Sequence, residues 1–135
     1  MALTRNVINL ATVFIEKNNI KYGDETLAIP ANTTIAAGTI LARDSVSLNL
    51  VPYVVGGTTN ENGIPKFVIG TEVQNTTASA ANFAVRVPLA AQCRRDLLII
   101  QADGDNSNLT KAIEDQLRDY NFFVIDGENL SVLDN

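Results

Sequence analysis

The stretch "TIAAGTILARDSVSLNLVPY" (residues 34–53) predicts two strands joined by a turn. Residues 35–42 and 49–55 are rich in β-branched and aliphatic side chains, which favour strands. The "RDSVSLN" between them holds the Asp, Ser and Asn residues that are typical of turns. The stretch contains no obvious catalytic group, so it predicts a hairpin with a structural role.

Short strands and long polar loops are predicted on both sides of this hairpin. Residues 56–66 and 74–82 are rich in Gly, Asn, Thr and Ser and are expected to be loops. Residues 18–34 also read mostly as loop, because a Gly-Asp pair and a proline interrupt them, with one short extended piece left open. Further extended segments are expected at residues 66–73, 83–89, 97–101 and 122–127.

One helix is predicted near the end of the chain, over residues 109–120. Its apolar side chains recur at helical spacing and form one stripe, made of Leu109, Ala112, Ile113, Leu117 and Tyr120. Ser107 or Asn108 is expected to cap its first turn, and Glu114 is expected to pair with Arg118 on the solvent side. Asn121 suits the left-handed conformation that ends many helices. The predicted class is α+β and β-rich, with one C-terminal helix.

The N-terminal segment predicts an extended arm in front of a compact domain. Residues 7–15 are mostly β-branched or aromatic, which favours a strand or an arm, although the spacing of Val7, Leu10 and Phe14 leaves a helix open. We therefore predict an extended arm over residues 1–28 and a compact β-rich domain over residues 29–135. The apolar segment is too short to span a bilayer and has no cleavage-like site, so we expect folding in a cytoplasm.

Composition argues against two classes of partner. The chain has 135 residues and a net charge of −5, and its basic residues are scattered. A nucleic-acid binder normally has a basic face, and an anionic membrane surface attracts basic segments. We therefore predict neither a nucleic-acid partner nor a membrane partner.

The sequence offers no strong catalytic or metal-binding constellation. Histidine is absent, which excludes Ser-His and Cys-His pairs, and Cys93, the only cysteine, is expected to be a buried small residue rather than a nucleophile. The Arg94-Arg95-Asp96 motif is expected to be a solvated turn, with an anion site or rim contact as the alternative. Five carboxylates near the helix are expected to be solvated rather than to bind calcium or catalyse: Asp103, Asp105, Glu114, Asp115 and Asp119. We predict a non-enzymatic protein without cofactor or metal.

Four segments, in order, resemble the lambda-type bacteriophage head decoration proteins, also called capsid stabilising or cement proteins. The most characteristic is an Ala-Gly-Thr-aliphatic-Leu-Ala strand followed by a strand that ends in Leu-Val-Pro, here residues 37–42 and 50–52. The other three segments are "GIPKFVIGTEV" (63–73), "FAVRVPLAAQCRRDLL" (83–98) and "LTKAIEDQLRDYNFFVI" (109–125).

This resemblance implies a structural virion protein on the outer surface of the expanded capsid. It implies a homotrimer that bridges capsomers, with the major capsid protein as its partner and an N-terminal arm that pairs with coat-protein strands. The arm residues expected to contact the capsid are Thr4, Arg5, Asn6, Val7, Ile8, Asn9, Leu10, Ala11, Thr12, Val13, Phe14 and Ile15. The alternative is another oligomeric β-rich virion component, such as a tail, baseplate or fibre protein. An enzyme or ligand-binding module would need a pocket with converging polar groups.

Overall fold

The computed structural model of the protein describes residues 13–15 and 20–126. The part of the chain that it describes contains ten strands, one α-helix and a 3-10 helix at Arg95–Leu97. The strands are β1 Phe14–Ile15, β2 Tyr22–Ile29, β3 Thr33–Ile35, β4 Ile40–Arg43, β5 Leu50–Pro52, β6 Phe67–Val68, β7 Val73–Asn75, β8 Ala81–Pro88, β9 Ala91–Arg94 and β10 Phe122–Ile125, and the helix α1 is Lys111–Arg118. The predicted β-rich α+β class with one late helix is confirmed.

The largest sheet has five strands in the order β6-β4-β5-β2-β8. The predicted hairpin is confirmed, because β4 and β5 pair antiparallel, with Leu41 opposite Pro52. Strands β2 and β8 pair antiparallel over eight residues, and β2 runs parallel to β5. The outer strands β6 and β8 approach each other, so the sheet curls around its inner face.

Strand β2 corrects the prediction of a loop over residues 18–34. Leu27 and Ile29 are fully buried on its inner face, and pairing with β8 outweighs the turn signal of the Gly-Asp pair. Gly23 suits the strand because the side chain of Leu89 lies over it, 2.9 Å from where a Cβ would stand. Residues 22–28, which the sequence analysis placed in the extended arm, therefore belong to the five-stranded sheet.

Glycines divide two predicted strands into shorter ones. The predicted strand 35–42 breaks at Gly38, whose φ of 95° and close approach to the Leu97 carbonyl exclude a side chain. Thr39 closes the resulting turn by donating its hydroxyl to the carbonyl of Ala36 at 2.7 Å. The predicted strand 66–73 likewise separates into β6 and β7, because Gly70 makes room for the ring of Phe14.

Two hydrophobic clusters form the core. The sheet cluster comprises Leu27, Ile29, Ile35, Leu41, Leu50, Ile69, Val85 and Val87. Six of these residues lie in the curled sheet, Ile35 comes from the separate two-stranded β3–β7 sheet, and Ile69 follows β6. The terminal cluster comprises Val13, Phe14, Ile40, Tyr53, Val68, Ala91, Cys93, Leu98, Ile100, Leu109, Ile113, Leu117 and Phe122. Strand β4 joins the two, since Ile40 belongs to one cluster and Leu41 to the other, and Phe67 packs against both.

The terminal cluster is covered by a second sheet and by α1. Strand β9 lies between β1, which is antiparallel to it, and β10, which is parallel. Helix α1 connects β9 to β10, and the left-handed conformation expected of Asn121 is confirmed by its φ of 72°. The predicted cap is wrong: Thr110 caps the helix, because its hydroxyl accepts the N–H of Ile113. Among the described residues no helix is long and apolar enough to cross a membrane.

Candidate interaction site

The structure places the described part of the predicted arm inside the protein. Val13 and Phe14 are buried in the terminal cluster, and Ile15 is half-buried. Phe14 pairs with Cys93 in the second sheet, and the carbonyl of Val13 accepts the N–H of Arg94 at 2.9 Å. These side chains are covered by the chain itself rather than displayed for another protein. The predicted contacts of residues 4–12 lie outside the described residues and stay a prediction.

The prediction that Glu114 is solvated is wrong. It is only 7% exposed, and its Oε2 accepts the Arg95 Nε–H at 2.9 Å instead of pairing with Arg118. Arg95 also donates to the carbonyl of Leu109 at 3.0 Å, so it ties the 3-10 helix to the start of α1. Arg94 forms an ion pair with Asp96 at 2.9 Å. Both arginines of the Arg94-Arg95-Asp96 motif therefore bind carboxylates of this chain.

The other carboxylates of this region are exposed, as predicted. The hydroxyl and backbone N–H of Ser107 donate to Asp105 and lower the pKa of that carboxyl group. The side-chain amide of Asn108 binds Asp103 in the same turn. Over residues 13–15 and 20–126 no group of three or more His, Cys, Asp or Glu side chains is placed to hold a metal ion.

Cys93 is buried, as predicted. Its side chain is inaccessible to solvent within the terminal cluster, and desolvation raises the pKa of its thiol to about 12. Because the thiolate is the reactive form of cysteine, this thiol is a poor nucleophile at neutral pH.

The turn between β4 and β5 is held by hydrogen bonds from its own residues and from Arg43. The Asp44 carboxylate accepts the backbone N–H groups of Val46 and Ser47, both at 2.9 Å, and these bonds lower the pKa of Asp44. The N–H of Leu48 donates to the carbonyl of Asp44 at 2.8 Å. Arg43 donates to the carbonyl of Leu48 at 2.8 Å, while its guanidinium also binds Glu25. The conformation of the turn is therefore fixed from both sides.

This rigid turn displays two aliphatic side chains, Val46 and Leu48, which we name the aliphatic knob. They are 77% and 63% exposed. Leu48 has a φ of 65°, a left-handed conformation that costs a non-glycine residue about 1–2 kcal/mol. The turn is also bound to the following loop, because the N–H of Ser45 donates to the carbonyl of Asn60 at 2.9 Å. The chain thus maintains a strained conformation that holds apolar surface in water.

An open groove of about 520 Å³ lies beside the turn. Apolar side chains make up most of its wall, including Pro30, Val51 and Val54. Among the described residues that line the groove, Asp44 is the one that carries a charge. We name this feature the apolar groove.

Sequence reasoning missed both the knob and the groove. The available signal was the presence of Val46 and Leu48 in a turn otherwise composed of Arg, Asp, Ser and Asn. Comparison with protein-family models, with curated proteins and with solved structures finds no match to this chain.

Proposed function

We propose that this chain is a structural protein of a bacteriophage virion. In this proposal it binds the outer surface of the expanded capsid as a homotrimer and stabilises the shell by bridging capsomers. The observation that carries the proposal is the order of the four segments that resemble lambda-type decoration proteins. Those segments contribute β4 with β5, then β6, then β8 with β9, and finally α1 with β10, and together they make up most of one body.

A trimer of such bodies could hold neighbouring capsomers together. Three copies that each make a weak contact with the shell gain affinity together, because the first contact raises the effective concentration of the others. Residues 1–12 precede β1 in the sequence, and β1 pairs with β9 of the body, so any strand that they add to the edge of a coat-protein sheet is covalently joined to that body. A net charge of −5 is compatible with this position, since the genome lies on the other side of the shell.

The direct test is imaging of particles. Purified protein would be mixed with expanded, undecorated shells of the parent phage and examined by cryo-electron microscopy. We expect density of the size of this chain at the local three-fold positions of the lattice. Absence of that density would refute the proposal. Native particles that carry the protein on the tail, baseplate or fibres would support the alternative virion role.

The arm is tested by a truncation that spares the core. Deletion should remove residues 2–12 only, because Val13 and Phe14 are buried and their loss would unfold the terminal cluster. We expect unchanged thermal unfolding and at least a roughly tenfold loss of shell binding, as for removal of one of two linked contacts. A variant with a shuffled arm of the same composition is the control for length and charge. Undiminished binding by the truncated chain would exclude the arm from the contact.

A further inference from the structure

We propose that the aliphatic knob of one copy inserts into the apolar groove of a second copy. The contact between these two different patches is heterologous, and it closes into a ring when each copy fills the groove of the next. The inference names the copy-to-copy contact of the homotrimer, and in that respect it rests on the proposed function. Binding to the shell is a separate property that can fail without it.

The knob has the properties of a prepared contact rather than of an ordinary turn. The hydrogen bonds of Asp44 and Arg43 fix the backbone that carries its side chains, so little backbone entropy remains to be lost when a partner binds. Asn or Gly would adopt the left-handed conformation at position 48 more readily than Leu does. The turn itself therefore does not explain the leucine, whereas an apolar partner surface does.

The groove supplies that surface on the same chain. Its volume of about 520 Å³ lies within the range of sites that enclose small ligands, so two aliphatic side chains fit in it. Pro30, Val51 and Val54 offer apolar contact to them. A second copy is the occupant because each copy brings both a convex and a concave apolar patch.

Net charge limits where two copies can meet. Two copies with a net charge of −5 repel each other, so they approach best where neither presents a free charge. The knob carries no charge, and the Asp44 carboxylate at the groove already accepts bonds from Val46, Ser47 and Asn60. When the groove is filled, the Asp44 carboxylate keeps these hydrogen bonds and also its charge. Added salt should strengthen the association by screening the repulsion, whereas it would weaken one based on ion pairs.

The decisive variant is Leu48→Asn in the full chain. Asn removes the apolar side chain and tolerates a positive φ, so the turn should keep its conformation. In samples dilute enough to be monomeric we expect an unchanged or higher melting temperature, and in sedimentation equilibrium we expect an association constant weakened by about 10- to 30-fold. The matched control is Leu89→Asn, which replaces a leucine that is half-exposed elsewhere and should leave association unchanged.

A mixing experiment tests the groove. Ala102→Glu places a carboxylate at an exposed position in the groove wall and should abolish the ring. A mixture of the Leu48→Asn chain and the Ala102→Glu chain retains one intact knob and one intact groove, so we expect it to form a heterodimer. Failure of the mixture to form that dimer would overturn the proposal.

Three further results would overturn the contact. They are a wild-type chain that stays monomeric at millimolar concentration, equal association by wild type and Leu48→Asn, and equal weakening by Leu89→Asn. Shell binding is measured in parallel on the same samples. If the wild type fails to bind expanded shells but its association responds to the variants as expected, the proposed function is refuted and the knob-and-groove contact stands.

Discussion

The two hydrophobic clusters of this protein differ in which structural elements bring their residues together. The sheet cluster is purely aliphatic, and all of its members come from residues 27–87. The terminal cluster draws on residues from 13 to 122 and includes three aromatic side chains and the buried Cys93. Six of the eight residues of the sheet cluster lie in the strands of the curled sheet, where side chains alternate between the two faces with period 2. The terminal cluster depends instead on a helix, a second sheet and both ends of the described chain.

Each cluster also has an ion pair beside it, and the two pairs differ in exposure. Glu25 shares the inner face of β2 with Leu27, and it binds Arg43 through two bonds at an end of the sheet cluster where both side chains are about one quarter exposed. Glu114 lies deeper, beside the terminal cluster, and binds Arg95. The terminal cluster therefore contains a nearly buried carboxylate, and its stability should be the more sensitive to charge.

The largest expected effect is from Phe122→Ala in the terminal cluster. The ring is fully buried and meets the edge of Phe67 with the centroids 6.0 Å apart, so its removal leaves a cavity where the two clusters join. We expect a loss of about 3–5 kcal/mol in the free energy of unfolding, measured by denaturant titration. Phe123→Ala, on the solvent side of the same strand, is the control and should cost about 1 kcal/mol or less. Equal losses would contradict the burial described here.

A smaller effect is expected when the two ion pairs are neutralised. Glu114→Gln leaves the Arg95 guanidinium beside a neutral amide in a mostly buried place, and we expect it to cost about 1–2 kcal/mol. Glu25→Gln should cost less, about 0.5–1 kcal/mol, because solvent screens that pair. Asp24→Asn, whose carboxylate pairs with Arg86 at an exposed position, is the control and should have no measurable effect. A larger loss from Glu25→Gln than from Glu114→Gln would reverse the comparison.

At neutral pH the smallest effect is that of the Cys93 thiol, which appears only as the pH rises. Burial raises the pKa of this thiol to about 12, whereas an unfolded chain releases the proton near pH 8.5. The contribution to stability is therefore complete below about pH 8.5 and is lost as the pH rises toward 12, by roughly 1 kcal/mol per pH unit. Denaturant titrations at pH 8 and pH 10 should show a steeper loss for wild type than for Cys93→Ala. Parallel losses would mean that Cys93 does not carry the dependence.

Much of the fold could be predicted from local pattern. Strand β8 alternates clearly between buried and exposed side chains, and α1 carries a regular apolar stripe, so both were found close to their observed bounds. Strand β2 was missed because its turn signal is local, whereas the pairing with β8 that overrides it joins residues about sixty positions apart. Glu114 was assigned to solvent because helical spacing does not reveal that Arg95 approaches that side of the helix.

The candidate site was less predictable than the fold. The exposure of Val46 and Leu48 depends on hydrogen bonds from Arg43 and from the loop at Asn60, and neither bond follows from the turn sequence. The groove arises where residues 28–30, 51–54 and 101–102 meet, and no spacing along the chain indicates that meeting. Buried Val13 and Phe14 likewise show that a β-branched or aromatic segment can be core rather than contact surface.

The order of the strands has a consequence for synthesis on the ribosome. All five strands of the curled sheet are complete once residue 88 has been made, so a nascent chain holds every residue of the sheet cluster at that point. The second sheet is complete only with β10. Residues such as Phe14, Ile40 and Val68 therefore stay uncovered by β10 until residue 125 has emerged. During this interval the chain exposes apolar surface, which is the kind of intermediate that chaperones bind. A product truncated before α1 should therefore keep its first sheet and aggregate through the uncovered side.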